Sequence, residues 1–322
     1  MELLKKLTQC NAPSGHEGAI TEILKTVLDG TADEIYTDNM GNLVAHKKGS
    51  GKKIMFAAHC DEIGVIVTFI DENGFLRFSD VGGLYTKYLA GRRVIFKNGT
   101  IGVIGTEPKN DKNTLTKMFI DIGVKNREDA QKSVSIGDMA SFTGEFCEQG
   151  EFVVSKALDN RAGCYILIEA LKQIKSENDL YFVFTTQEEV GLRGARTAAY
   201  SIAPEYAIAV DVTDTGDTPE ADKMAVKLGL GAAVKVMDYS VICNAEVREK
   251  LIRLAKDHGV KYQLEIMKDG GTDAGVMQYA RGGVKAGGIS LPTRYIHSPA
   301  EMAAKSDIAD CISLCRLFAE NA

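Results

Sequence analysis

The sequence predicts an α/β protein that is interrupted by an all-β segment. In the first and last parts of the 322-residue chain, apolar runs typical of buried strands alternate with stretches of helical periodicity. In the middle, short strand-like pieces alternate with glycine turns and helical periodicity is weak. We therefore expect α/β segments over 1–65 and 155–322, separated by a β-rich domain over 66–154.

The composition is typical of a soluble globular protein, with 45% hydrophobic and 25% charged residues. The formal net charge of −6 argues against nucleic acid or an anionic membrane as a partner. No apolar run is long enough to span a bilayer. Seven cysteines without paired spacing suggest reduced thiols, and we therefore expect a cytoplasmic protein.

The first α/β segment contains the first candidate site residues. After a helical stretch over 1–28 and a hairpin over 35–46, the buried strand Lys53–Ala58 ends in His59, and Asp61 follows two residues later. A histidine that binds a metal usually has its other ring nitrogen held by an acid or a carbonyl. His59 is therefore a candidate ligand with Asp61 as its partner, and a polar strand terminus is the alternative.

The second α/β segment continues this pattern. Asp159 precedes a predicted helix over 162–175, where it could equally be an N-cap. The strand Leu180–Phe184 leads to the adjacent acids Glu188 and Glu189. The next strand, over 206–210, ends in Asp211. Because parallel strands bring their carboxyl ends to one edge of a sheet, we expect these acids to lie near His59.

The adjacent glutamates are the centre of the predicted site. Two neighbouring carboxylates repel one another, and a solvated turn is the structural alternative. If they are functional, one can hold a metal while the other handles a proton. A last short strand over 287–290 leads to His297, in a loop at the same edge of the sheet.

Together, these residues predict a metal site with mixed nitrogen and oxygen ligands. Such a donor set suits Zn, Co or Mn, and its size fits two ions that share one bridging carboxylate. Glu188 is then the spare acid that could take a proton from water. The chain has no GxSxG elbow, Walker A loop or dinucleotide-binding GxGxxG. The five candidate ligands are His59, Asp159, Glu189, Asp211 and His297.

The chain resembles the cocatalytic-metal aminopeptidases of the M42 family, which form large tetrahedral particles. Six short motifs carry the resemblance, occur in the family's order and span nearly the whole chain. They lie at Ala58–Gly64, Ala157–Arg161, Gln187–Gly191, Val210–Thr213, Gly270–Gly275 and Pro292–Pro299.

The resemblance implies a role for each site residue. His59, Asp159 and Asp211 would bind one ion, and Asp159, Glu189 and His297 the other, so that Asp159 bridges. Glu188 would be the general base and Asp61 would orient His59. The family also implies a cis peptide bond between Asp159 and Asn160.

At the level of the whole chain, the resemblance implies an α/β/α dinuclear metallopeptidase domain with an inserted all-β, barrel-like oligomerisation domain. It implies two divalent ions, Zn or Co with Mn also possible, that activate a water for removal of N-terminal residues from peptides. The β-rich segment would join subunits into dimers and six dimers into a tetrahedral dodecamer. Because this segment contains no histidine, we expect it to contribute no chemistry.

Two alternatives differ in class from an aminopeptidase. An endoglucanase-like glycoside hydrolase could use a carboxylate pair, but such acids stand several Å apart on opposite sides of the bond, and they need no histidines. An inactive metal-bound scaffold is the other alternative, and the complete set of ligands and base argues against it. The sequence leaves the preferred N-terminal side chain open, although loops at 270–272 and 294–295 are expected to border the pocket.

Overall fold

The computed structural model describes residues 1–110 and 112–322. Within these residues, eight α-helices run over Glu2–Thr8 (α1), Gly18–Leu28 (α2), Arg127–Gln131 (α3), Leu158–Gln173 (α4), Arg193–Ile202 (α5), Ala245–Asp257 (α6), Ala274–Met277 (α7) and Lys305–Asn321 (α8). Two short 3-10 helices cover Thr86–Tyr88 and Leu115–Lys117.

The same residues form seventeen β-strands. The first nine are Glu34–Thr37 (β1), Leu43–Lys47 (β2), Lys53–His59 (β3), Gly64–Ile70 (β4), Leu76–Val81 (β5), Arg93–Phe96 (β6), Ile101–Thr106 (β7), Met118–Asp121 (β8) and Met139–Phe142 (β9). The remaining strands are Cys147–Gln149 (β10), Phe152–Ser155 (β11), Asp179–Thr185 (β12), Tyr206–Thr213 (β13), Ala232–Met237 (β14), Tyr262–Ile266 (β15), Lys285–Arg294 (β16) and Glu301–Ala304 (β17).

An eleven-stranded sheet forms the centre of the molecule. Its main path is β1-β2-β12-β3-β13-β16-β17-β11-β10, and β14 joins β15 to β16 at the side. Strands β12, β3, β13 and β16 are mutually parallel, with Thr185 opposite His59 and Asp211 opposite Ser290. The parallel register brings the carboxyl ends of these strands to one edge, as the sequence predicts.

Helices cover both faces of this sheet because its central strands are apolar on both sides. Along β3, Ile54 and Phe56 belong to a core cluster that includes residues of α1, α2, α4, α6 and α8. Met55 and Ala57 belong to a second cluster, which includes residues of α5 and α7. This arrangement is an α/β/α layering. Among the described helices, none is both long and apolar enough to cross a membrane.

A closed six-stranded barrel forms the second part of the fold. Its order is β4-β5-β8-β7-β6-β9, and alternate residues such as Val65, Val67 and Ile104 fill its interior. The predicted α/β fold with a barrel insert is therefore confirmed. Strand β10 and all but the last residue of β11 lie within the predicted 66–154 segment, yet these strands belong to the large sheet, where β11 pairs with β17. The limits of the predicted domain stay a prediction.

Several elements differ from those predicted by the sequence. Strand β13 extends to Thr213, so that Asp211 lies inside the strand rather than beyond its end, because pairing with β16 continues to Pro292. Strand β16 has ten residues, whereas the sequence predicts only four, over 287–290. The sequence does not predict β14 or β17. In each case, tertiary pairing decides the boundary.

Candidate metal centre

Asp159 lies between the two candidate histidines. Its Oδ1 is 3.0 Å from Nε2 of His59, and its Oδ2 is 3.2 Å from Nε2 of His297. His59 stands at the end of β3, Asp159 near the start of α4 where the backbone is not helical, and His297 in the loop between β16 and β17. Three distant parts of the chain therefore bring two imidazoles to the two oxygens of one carboxylate.

The other predicted acids surround the same point. Glu189 Oε2 is 3.2 Å from Nε2 of His297. Nε2 of His59 is 3.7 Å from Asp211 Oδ1 and 3.9 Å from Glu188 Oε2. Two groups are compact enough to hold an ion, namely His59 with Asp159 and Glu189, and His59 with Glu188 and Asp211. All five candidate ligands and Glu188 thus lie together, and Glu188 is only slightly farther from His59 than Asp211 is.

Asp61 connects His59 to the two adjacent glutamates. Its Oδ1 lies 3.4 Å from Nδ1 of His59 and accepts a hydrogen bond from the backbone N–H of Glu188 at 3.1 Å. Its Oδ2 accepts from the backbone N–H of Glu189 at 3.3 Å and from the Ser14 hydroxyl at 2.6 Å. Because Asp61 is fully buried, it can fix the imidazole and the Glu188–Glu189 backbone together.

The sequence interpretation assigned no role to two further buried acids. Glu301 accepts hydrogen bonds from the backbone N–H groups of Asp159 and His297, each at 2.9 Å. Asp273 accepts from the Thr185 hydroxyl at 2.6 Å, at the end of β12. Asp273 belongs to the motif Gly270–Gly275, and Glu301 lies two residues after the motif that ends at Pro299. Their position in or near these motifs is the sequence signal that points to them. Glu301 therefore supports the backbone of two cluster residues, whereas Asp273 contacts a side chain at the end of β12.

The backbone around the cluster has unusual conformations. Ala157, Gln187 and His297 have φ angles of 53°, 54° and 60°, which is the left-handed region that residues other than glycine seldom occupy. Ala157 and Gln187 each lie two residues before a candidate ligand, and His297 is itself a candidate ligand. The peptide bond between Asp159 and Asn160 is cis, as the resemblance implies. Left-handed residues concentrate at functional sites, where the surrounding structure determines their conformation.

The charge balance of the cluster favours bound cations. Burial raises the pKa of Glu188 and of Asp211 well above their usual range, and His59 opposes this shift in both. Burial would also raise the pKa of Asp159, but hydrogen bonds with His297 and His59 hold it below its usual value. Divalent cations would stabilise all these carboxylates in their charged form.

Two unsatisfied atoms give a separate test of the fit between these residues and metal ions. Glu189 Oε1 and His59 Nδ1 are buried without a hydrogen-bond partner among the described residues. Buried polar atoms are rarely left without a partner in folded proteins. A cation beside Glu189 would satisfy its free oxygen, and an ion on the other ring nitrogen of His59 would strengthen its interaction with Asp61. The donor set therefore fits divalent ions.

A cavity of about 490 Å³ opens onto the cluster. Gly83 and Tyr85, from the segment between β5 and β6, line it, so the β-rich segment borders the site although it holds no candidate ligand. The expectation that the segment contributes no chemistry stays a prediction. A Cβ at Gly83 would approach Nδ1 of His297 to 3.1 Å, so a larger residue there would crowd that ring. Gly270 and Gly271 line the cavity as predicted.

Comparisons with known proteins identify the family. The family model described as M42 glutamyl aminopeptidase matches residues 41–314. A putative aminopeptidase of Acetivibrio thermocellus is 54% identical over 97% of this chain and 96% of its own length. The Pyrococcus horikoshii TET1 peptidase, which can assemble into a tetrahedron or a large octahedral shell, has a TM-score of 0.90 and 34% identity over 100% of this chain and 99% of its own.

One solved relative has a different name. A Thermotoga maritima protein described as an endoglucanase has a TM-score of 0.85 and 35% identity, over 98% of this chain and 96% of its own. The match to the family model covers well over half of the chain and includes every candidate ligand. The chain therefore belongs to the M42 peptidase family and is an aminopeptidase.

Proposed function

We propose that the cluster holds two divalent cations with Asp159 between them. His59 and Asp211 complete the first set of ligands, and Glu189 and His297 complete the second. The observation that carries this proposal is the position of Asp159, whose two oxygens face different histidines at 3.0 and 3.2 Å. Members of this family depend on metal ions, and the mixed nitrogen and oxygen donors suit Zn, Co or Mn.

The residues of the chain then have separate tasks in hydrolysis of the first peptide bond. When bound, two such ions polarise the scissile carbonyl and lower the pKa of the attacking water. Glu188 takes a proton from that water at a carboxylate oxygen and donates it to the nitrogen of the leaving amine. Asp61 fixes both the His59 ring and the backbone N–H of Glu188, and so positions base and ligand relative to one another.

Removal of the metal should abolish activity reversibly. Without cations, burial favours the protonated forms of Glu188 and Asp211, and the chemistry that the ions supply is lost. We expect exhaustive chelation to reduce hydrolysis of an aminoacyl amide to background, and added Zn, Co or Mn to restore it. Metal content measured by mass spectrometry should return with activity and reach two ions per chain. Turnover by a verified metal-free protein would contradict the proposal.

An endoglucanase activity is the second candidate because a similar solved protein has that name. The geometry does not favour it. Both histidines contact Asp159 directly, and the two acids expected to act as a pair, Glu188 and Glu189, are adjacent residues held by the same Asp61 carboxylate. Glycosidases need carboxyl groups on opposite sides of the bond. Release of reducing sugar from a cellulosic polymer, persisting after chelation, would support the endoglucanase function instead.

We further propose that subunits associate into dimers through the barrel and into a dodecamer of six dimers, in the cytoplasm. The similar TET1 peptidase forms closed shells. On β7, Ile101 and Val103 are about half exposed on the outer side of the barrel, and such residues are common at subunit interfaces. The seven free thiols are consistent with a reducing compartment.

The proposed assembly predicts a large particle in solution. Light scattering of the metal-loaded protein should give a mass near twelve chains. Substitution of both Ile101 and Val103 by Lys should lower this mass, because desolvating two ammonium groups at an interface is costly. Hydrolysis of a small aminoacyl amide should continue, since neither residue lies at the metal cluster. An active, metal-loaded protein that is only monomeric would exclude the assembly.

A further inference from the structure

Among the described residues that line the site cavity, acidic side chains occur without lysine or arginine. Apart from the proposed ligands and base, the cavity of about 490 Å³ is lined by two carboxylates, those of Asp214 and Asp269. Among the described residues, no lysine or arginine lines it. Its size is that of a typical small-ligand pocket. Beyond the metal cluster, a side chain that enters this cavity therefore meets two carboxylates and no lysine or arginine of the described residues.

Asp214 and Asp269 are available to a ligand. Neither forms an ion pair or a side-chain hydrogen bond with any residue that the structure describes, and both side chains are exposed to solvent. Asp214 directly follows β13, three residues after Asp211, and Asp269 precedes the glycines of the loop before α7. The two acids therefore stand next to the metal cluster without belonging to the proposed ligand set.

The remaining wall of the cavity is largely apolar. Met267, Ile296, Tyr85 and Tyr239 line it, and Gly270 and Gly271 leave space beside them. The methylene groups of a long side chain can pack along such a wall while a charged end remains near the carboxylates and water. A lysine or an arginine has this combination of an apolar stem and a cationic end.

The arginine of the loop expected to border the pocket is already engaged. Arg294 donates two hydrogen bonds to Asp217, from Nε at 3.0 Å and from a terminal nitrogen at 2.7 Å, and it does not line the site cavity. Four cations, Lys87, Arg92, Lys223 and Lys268, line a second cavity of about 950 Å³. This cavity shares Tyr85, Asp214, Met267, Asp269 and Ile296 with the first, but none of the four cations lines the first cavity. An acidic first residue would thus lack a cationic partner beside the metal cluster.

We propose that this enzyme selects substrates whose N-terminal residue is basic and discriminates against acidic ones, with Asp214 and Asp269 as specificity-determining residues. The proposal rests on the function proposed above, namely that hydrolysis occurs at the metal cluster on this cavity. It differs from the glutamyl preference in the description of the family. Long apolar residues such as leucine, which fit the wall without using the carboxylates, are intermediate substrates.

The test compares kcat/KM for lysyl, leucyl and glutamyl amides with the intact, metal-loaded enzyme. We expect the lysyl substrate to exceed the glutamyl one by about 10²-fold, because like charges placed together are strongly unfavourable. Asp214→Asn and Asp269→Asn should each lower the lysyl-to-leucyl ratio about threefold to fivefold, and the double variant by about tenfold. Asp257→Asn, an exposed acid at the end of α6, should not change the ratio.

The outcomes separate the specificity from the proposed function. A glutamyl amide hydrolysed as fast as the lysyl one would overturn the specificity and leave the metal-dependent aminopeptidase standing. An unchanged lysyl-to-leucyl ratio in the double variant would also overturn the assignment to these two acids. Failure of wild-type enzyme to hydrolyse any of the three amides would overturn the proposed function, and this inference with it.

Discussion

Replacement of Glu188 by glutamine should reduce kcat by about 10²–10⁴-fold while the protein keeps its fold and its metal ions. Glutamine has nearly the same shape as glutamate but cannot take up a proton at this position. Glu188 is buried, and its Oε2 lies 3.9 Å from Nε2 of His59, so the side chain already occupies a defined place beside the cluster. The loss should fall on kcat more than on KM, because the lost proton transfer acts in the transition state.

Glu189→Gln is the informative comparison for this experiment. Its carboxylate contacts His297 at 3.2 Å and has an unsatisfied oxygen, so its substitution should weaken metal binding rather than only the proton transfer. The comparison matters because Glu188 also groups with His59 and Asp211 in an arrangement that could hold an ion. Metal content and turnover should be measured for both variants under limiting metal.

The outcomes for these two variants assign base and ligand. If Glu188→Gln loses metal while Glu189→Gln retains two ions, the two roles are exchanged. If Glu188→Gln remains fully active, Glu188 is not the base. Glu169→Gln, which removes the charge of a partly exposed acid on α4, is the matched control and should change neither quantity.

The sequence was most informative where the chemistry follows the ends of parallel strands. The central residues of β3 and β12 are apolar, β3 ends in His59, and the adjacent glutamates begin three residues after the end of β12. Parallel pairing with Thr185 opposite His59 then brings these residues to the same edge of the sheet. Hydrophobic pattern and strand direction together therefore predict which side chains meet, before any distance is known.

The parts that sequence could not supply depend on contacts between distant segments. The hydrogen bonds of Glu301 to the backbones of Asp159 and His297 exist only because β17 pairs beside β16 and returns the chain to α4. In the sequence, Glu301 is one acid in a polar loop. The approach of Gly83 to His297 similarly depends on how the barrel lies against the sheet. Neither periodicity nor spacing predicts such contacts.

The partner of Arg294 is a third example, and it bears on specificity. The sequence places this arginine in a segment expected to border the pocket, but a lone arginine does not establish a preference for acidic residues. The structure instead pairs its guanidinium with Asp217 through two hydrogen bonds. These interactions hold the pKa of Asp217 at about 2, with burial opposing them, so the aspartate remains charged and the pair stays closed near neutral pH. The charge preference of the site is therefore inferred from Asp214 and Asp269, the two acids that line the cavity outside the proposed ligand set.

Replacement of Asp159 by asparagine should have the largest effect of any single ligand substitution. Each Asp159 oxygen faces a different histidine, and the proposal gives each oxygen to a different cation. Asparagine keeps one oxygen and replaces the other with an NH₂ group, which cannot bind a cation. Activity should therefore fall by more than the about 10²–10⁴-fold expected for loss of the base, since the chemistry of both ions is impaired.

Asp211→Asn provides the matched comparison, because Asp211 would contact one ion only. Titration of each metal-free variant with Zn or Co, followed by metal analysis after dialysis, should give one weakened site for Asp211→Asn and two for Asp159→Asn. Circular dichroism should establish that both variants are folded. If Asp159→Asn binds two ions as tightly as wild type, or loses only one, Asp159 does not bridge. The bridge would then have to be assigned to another acid of the cluster, with Glu188 the nearest of those left unassigned as ligands.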